Sequence, residues 1–338
     1  MQRKLVLAVL CLALLAAPVT QTLAQGVSPD KYFPEGTDAV VQLNLNQLMG
    51  STLLKKGIPL LVKKHGENVV SMLANFVPDE NVKKMMQDMA PELKNTVTEE
   101  AVGKFMEMGK GFVKDFTFAI NSREEANGVP NFVISMGIPM LQSSMIEQFA
   151  PMMSASGQME IKTEDIGGVT YFEMKPTNSP MPFYVAVPEN GIMLMGISKD
   201  TLTKTVKNKG KNQTNPNIKD LLNQRKNTYT LFVAGLAPKN QEDEFKHFVA
   251  TLTVDKDVNG NVNMVCPDAD KAKAKAKEAN EGFESAVAMV LQFADDHPEL
   301  KPLSDSLKKV KAETNGNTIS MKMSVDGEQL IKAMKEAK

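Results

Sequence analysis

The chain has 338 residues, with 39 Lys and Arg against 40 Asp and Glu, 23 Met, two Cys and no Trp. A hydrophobic fraction of 42% is too high for a disordered chain. Two cysteines cannot staple a disulfide scaffold, and balanced charge lacks the basic excess of a nucleic-acid binder.

Residues 1–24 read as a secretory signal peptide. Arg3 and Lys4 give a positive start, Leu5 to Ala17 form an uncharged apolar run, and Pro18 ends it. Thr22-Leu23-Ala24 then supplies small residues at a cleavage site. The run is short for a hydrocarbon core about 30 Å thick. Cleavage removes two positive charges and Cys11, leaving Cys266 as the sole cysteine. An exported chain with one thiol points to a bacterial source and a periplasmic or extracellular location. Beyond the leader, the longest apolar stretch, Ile58–Val62, stops at Lys63, so no membrane span is expected after cleavage.

The next element is a strand, Ala39–Asn46, whose alternation buries Ala39, Val41, Leu43 and Leu45. Helices are predicted over Gln47–His65, Asn68–Phe76, Asn81–Met89 and Glu99–Val113. A hairpin follows, with Asn127-Gly128 between Phe116–Asn121 and Asn131–Ile138. Asn-Gly accepts the positive φ of a type I′ turn, so flanking alternation reads as a hairpin. After a helix at Leu141–Met153 come hairpins at Gly167-Gly168 and Asn190-Gly191, then helices at Lys199–Lys207 and Ile218–Gln224. A second lone strand, Tyr229–Leu236, buries Tyr229, Leu231 and Val233 or the opposite face. Asn259-Gly260 marks a hairpin between Phe248–Val254 and Val262–Cys266, and Asn315-Gly316 one between Val310–Glu313 and Thr318–Val325. Between them runs a long helix, Asp268–Asp296, with Asp268 as N-cap and Pro298 beyond its end.

These elements predict an α+β fold: antiparallel sheets built from hairpins, with helices packed on one face. The order suggests two duplicated halves, 25–226 and 227–338. Met193, Met195, Ile197, Leu202, Lys204 and Lys207 recur at a constant spacing as Met321, Met323, Val325, Leu330, Lys332 and Lys335. The opening stretch, Phe33-Pro34-Glu35-Gly36-Thr37-Asp38 followed by Ala39–Gln47, resembles that of a broad group of exported bacterial proteins of unknown function. The late Lys/Ala-rich helix and terminal strand-plus-helix are similar too. The resemblance implies an α+β fold and an envelope location, and it carries no catalytic residue.

Motifs for chemistry are sparse. Gly103 and Gly109-Lys110 have the wrong spacing for a phosphate loop, and Gly111 stands where Ser or Thr must bind magnesium. Ser306 and Lys309 have S-x-x-K spacing without the accompanying motifs. His65, His247 and His297 lack a His or Cys at metal-ligand spacing, and Cys266 reads as a small buried hydrophobe. Lys271, Lys273, Lys275 and Lys277 read as a solvated helix start. The Met groups at 85, 86 and 89, at 106 and 108, at 152–153, at 193 and 195, and at 321 and 323 could supply soft ligands for Cu(I). Their spacing on strand and helix faces reads instead as core filling, or as an adaptable apolar surface.

The sequence therefore predicts no catalytic, cofactor or metal residue. It predicts a non-enzymatic exported protein that binds an envelope protein or polymer. The alternative is a carrier or sensor of an apolar ligand such as lipid, held in a Met-rich cavity.

Overall fold

The computed structural model describes residues 29–74, 97–126, 129–155, 159–177, 181–209, 216–238, 241–296 and 301–336. The signal peptide and the helix expected at Asn81–Met89 lie outside them. Twelve strands form one antiparallel sheet in the order β11-β12-β10-β9-β8-β1-β2-β3-β7-β6-β5-β4. The strands are β1 Ala39–Asn44, β2 Asp115–Ala126, β3 Val129–Gly137, β4 Met159–Ile166, β5 Val169–Pro176, β6 Phe183–Glu189 and β7 Ile192–Gly196. They continue with β8 Leu231–Leu236, β9 His247–Val254, β10 Val258–Val265, β11 Ala312–Asn315 and β12 Thr318–Val325. Nine helices are described: α1 Leu45–Gly50, α2 Thr52–Ala74, α3 Glu99–Phe112, α4 Ser143–Ala155, α5 Lys199–Lys207, α6 Pro216–Leu222, α7 Ala269–Asp296, α8 Lys301–Leu307 and α9 Gly327–Glu336.

β1 and β8 pair antiparallel at the middle, Val41 opposite Val233. From that seam β2, β3, β7, β6, β5 and β4 run one way, and β9, β10, β12 and β11 the other. The α+β class holds, with one open sheet where several were expected. Four hairpins form where the turn glycines stand: Gly167, Gly168, Gly191 and Gly316 all have positive φ, at turns linking β4–β5, β6–β7 and β11–β12, and β2–β3 flanks residues 127–128.

The fifth hairpin turns elsewhere. Asn259 and Gly260 lie inside β10, opposite Thr253 and Leu252, and the turn falls at 255–257. Closing there keeps Val258, Asn259 and Gly260 in the ladder, so more backbone groups are paired than a turn at Asn259-Gly260 would allow.

The first lone strand differs from expectation, and the second takes one of its two expected faces. In β1 the fully buried residue is Val40, while Ala39, Val41 and Leu43 are half-buried. In β8 the opposite face, the second of the two alternatives, is the buried one, with Phe232 and Ala234 dry and Leu231 and Val233 half-buried. Both strands sit mid-sheet, where burial depends on what packs over each face, and alternation alone does not say which is the drier.

The first helical region divides at Ser51. The Asn44 side chain accepts from Gln47 N–H to cap α1, and Ser51 Oγ accepts from Leu54 N–H to start α2. α2 then runs as one helix through Pro59, where two helices were expected. A 3₁₀ turn at Pro29–Tyr32 and the short helix α8 were not foreseen.

Helices lie on both sheet faces rather than one. Directly opposed residues of an antiparallel ladder point the same way, so the register defines a Val40 face and a Val41 face. On the Val40 face, Leu202 of α5 packs with Tyr32, Val133, Tyr171 and Leu194. Ile218 and Leu221 of α6 pack there with Phe232, Ala234 and Val249. On the Val41 face, Ile146 of α4 joins Met136, Phe172, Met174, Met193 and Met195. At the other end of that face, Ala272 and Ala276 of α7 pack with Cys266, Ala312 and Ile319.

Candidate functional site

One row of directly opposed residues crosses the whole sheet on the Val41 face: Ala312, Met321, Val262, Ala250, Val233, Val41, Phe118, Ile134, Met195, Val185, Phe172 and Thr163. All but the last are apolar. The adjacent row on the Val40 face runs Lys322, Asn261, Thr251, Phe232, Gln42, Thr117, Ser135, Leu194, Ala186, Tyr171 and Glu164. It mixes charged, amide and hydroxyl groups with apolar ones.

The two faces are buried in the reverse of their polarity. Over the central strands the mixed face is the drier one: Val40 and Thr117 are 0% exposed and Ser135 2%, with Gln42 half-buried. On the apolar face of the same strands Met136 is buried, whereas Ala39, Val41, Leu43, Phe116, Phe118, Ile120, Phe132, Ile134, Leu231 and Val233 are only half-buried. β9 and β10 continue the band with half-buried Phe248, Leu252, Val254 and Val262. The rings of Phe118 and Phe132 lie side by side, centroids 4.9 Å apart. The band is bounded by the α4 cluster on one side and the α7 cluster on the other. Strands lie ~4.8 Å apart, so the five strands β9, β8, β1, β2 and β3 make a strip roughly 19 Å wide. Large contiguous apolar surface that folding leaves partly uncovered is characteristic of binding sites.

A cleft of about 700 Å³ opens between the α1–α2 junction and α3. Met49 and Met106 give it apolar wall, and Lys55, Glu100, Lys104 and Glu107 give it charge. Glu100 pairs with Lys104 at 2.7 Å and Glu107 with Lys110 at 2.6 Å, both along the helix surface. Ser51 is held structurally, since its Oγ donates to the Asp255 carbonyl and accepts from Leu54 N–H.

A polar cluster sits where the 3₁₀ turn inserts Tyr32, fully buried, against the Val40 face beside Val133 and Leu194. Burial first, and then the Glu189 carboxylate, push the Tyr32 hydroxyl above its ordinary range. Burial would raise Glu189 as well, but the Lys209 ammonium bonded to it outweighs this and holds it low. The charges neutralise one another, as a structural anchor requires.

The other residues singled out from sequence are dispersed. Gly103, Gly109 and Lys110 lie within helix α3. Ser306 is on α8, and Lys309 follows that helix and is exposed. His65 falls in α2, His247 begins β9, and His297 is outside the described residues. Burial chiefly, with Lys246 beside it, lowers His247 from its usual value. Cys266 is free and fully buried, and burial raises its thiol. Lys275 bonds Glu244 at 2.6 Å and Glu278 at 2.9 Å, and Lys271, Lys273 and Lys277 are exposed.

The methionines separate into distant sets. Met193 stands directly opposite Met136, and with Met174 and Met195 they share the α4 core. Met321 and Met323 lie on β12, beyond the central strands. Met106 is buried against the cleft. Met85, Met86 and Met89 fall outside the described residues. Among the described residues, no group of three or more His, Cys, Asp or Glu could hold a metal. No described helix is long and apolar enough to cross a membrane.

No family model matches the chain, and neither the curated proteins nor the solved structures contain a match to it. The apolar band is the feature that strand-by-strand reading missed. Its signal was present in the parallel alternation of Val41, Phe118, Ile134 and Val233, but only the register aligns those faces.

Proposed function

We propose that this chain is an exported, non-catalytic protein that carries or senses an apolar ligand of lipid type on the Val41 face. The observation that carries this reading is the inverted burial: the more apolar face of the central strands is the less covered one. Full burial of a Val, Leu or Phe side chain stabilises by ~1.5–3 kcal/mol relative to exposure. A band of half-buried side chains therefore retains affinity for an apolar chain. Methionines at both ends of the band, Met195 and Met321, add adaptable walls. The same surface could dock an envelope protein or polymer, but a small apolar ligand fits a face bounded by helices at both ends.

The strand order also supports the two-half reading. β1-β2-β3-β7-β6 and β8-β9-β10-β12-β11 run outward from one antiparallel seam, and we read the β4–β5 hairpin as an insertion in the first half.

Native mass spectrometry of protein purified from a lipid-containing host tests the ligand. A mass excess removable by organic extraction is expected. The extracted protein should bind a fluorescent fatty-acid probe, and the near-isosteric pair Val41→Thr with Val233→Thr should weaken that binding about tenfold, since each buries an unpartnered hydroxyl. A clean mass together with no probe binding would overturn the proposal.

A further inference from the structure

The sheet ends asymmetrically. β11 closes one edge with four residues. β4 closes the other with eight, and among the described residues its outer side pairs with no strand. An unpaired edge of that length is a template for another strand. We infer that β4 is a self-association edge, and that a second copy of this chain pairs with it antiparallel about a two-fold axis at Ile161.

The charge pattern selects both the partner and the register. On the Val40 face, β4 already sits in a checkerboard with β5: Glu160 is opposite Lys175 and Lys162 is opposite Glu173. A second β4 centred on Ile161 places Glu160 opposite the other copy's Lys162, twice by symmetry. The rows then read Lys175, Glu160, Lys162, Glu173 across the junction, alternating in sign throughout. Sliding the pair by one step, to centre on Lys162, sets Lys162 against itself and Glu160 against Glu164, and like charges directly opposite destabilise a pair. Sliding by two, to centre on Thr163, sets Lys162 against Glu164 with opposite signs, but it also sets Ile161 against Asp165, a carboxylate on the apolar face. Glu164 is in any case engaged by Lys199.

The Val41 face agrees with the same register. Ile161 and Met159 are half-buried and pack against the α4 core. Centring on Ile161 brings the two isoleucines together and sets Met159 over the other copy's Thr163, so the apolar face continues across the junction. The Glu160 and Lys162 side chains are 60% and 65% exposed, and their present contact with each other, at 3.2 Å, is a solvent-exposed one. Such a contact contributes little and is readily exchanged for a cross-strand one. Charges on an edge strand ordinarily discourage pairing. Of the registers centred on Ile161, Lys162 and Thr163, only the first pairs opposite charges without setting a like charge or an apolar side chain against a charge.

The test is sedimentation velocity and cysteine trapping on the purified chain in a Cys11→Ser background, which leaves only buried Cys266. Directly opposed Cα atoms lie about 4.5–5.5 Å apart, within disulfide reach. Ile161→Cys should give a covalent dimer under mild oxidation, and Thr163→Cys should not. Lys162→Glu should raise the dimer dissociation constant about tenfold or more, by turning two attractive pairs into repulsive ones. Adding Glu160→Lys restores opposite signs across the junction, and adding Lys175→Glu with Glu173→Lys keeps the signs opposite across β4 and β5, so the fourfold charge swap should restore the dimer. Three results would each overturn the inference: a chain that stays monomeric to its solubility limit, a covalent dimer from the Thr163→Cys variant but not from Ile161→Cys, or a charge swap that fails to rescue a folded variant.

Discussion

Gly327 shows how one residue ties two parts of the molecule together. A Cβ built at this position would lie 1.9 Å from the backbone carbonyl oxygen of Lys256 and 3.2 Å from Leu53 Cδ1. Its own N–H donates to Asp257 Oδ1. The same turn accepts from Leu53 N–H at 2.7 Å and from Ser51 Oγ at 3.1 Å, both on the Asp255 carbonyl. The β9–β10 turn therefore anchors the starts of α2 and α9 together. A backbone oxygen cannot rotate away as a side chain can, so Gly327→Ala should destabilise by at least the ~1–3 kcal/mol of overpacking. Guanidinium unfolding should show this as a lower midpoint, while Gly260→Ala, which meets only Met323 and Leu252 at ordinary contact distance, shifts it much less. An unchanged midpoint for Gly327→Ala would show that the turn can move. The glycine itself is visible in the sequence; the carbonyl it must avoid is not, because it lies far away along the chain.

At the level of elements, α5 and α9 have similar sequences and different seats. Both follow an alternating strand that carries two methionines, β7 and β12. α5 drops onto the Val40 face, where Val133, Ile192 and Leu194 receive Leu202. α9 packs instead against α2 and α8; a methyl at Gly57 of α2 would lie 3.6 Å from its Ile331 Cδ1 and Met334 Sδ. The strands beneath explain the divergence. β10 and β12 present Asn263 bonded to Ser320, and Asn259 bonded to Ser324, on the Val40 face, which offers no apolar seat. The α5 docking depends on its start, where Ser198 Oγ accepts from Thr201 N–H. Ser198→Ala should cost ~1 kcal/mol, read as a lower urea midpoint with an unchanged slope; no change would mean that packing of Leu202 alone holds the helix.

Over the whole molecule, the β1–β8 seam makes one sheet of the strands on either side of it. Phe232, 2% exposed, packs at that seam with Ile218 and Leu221 of α6. Continuous pairing across it predicts one calorimetric transition for the described body, and Phe232→Ala, expected to cost ~3–5 kcal/mol, should lower that single transition as a whole. Two transitions, with only the later one moved by the substitution, would show that the strand groups on either side fold independently.

The sequence by itself determined the elements whose signals are local. Hairpins at Gly167-Gly168 and Asn190-Gly191, the helix Lys199–Lys207 and the Asp268 cap were all legible, because turn chemistry, capping and periodicity act over a few residues. Tertiary structure decided what those elements do together. Alternation in β1 could not say that Val40, between Ala119 and Ala234, would be driest. Asn259-Gly260 could not announce that Asp255–Asp257 would turn in its place. The apolar band exists only once register sets Val41 beside Phe118 and Val233, since burial depends on what lies across a sheet and above it, and neither neighbour is near in the chain.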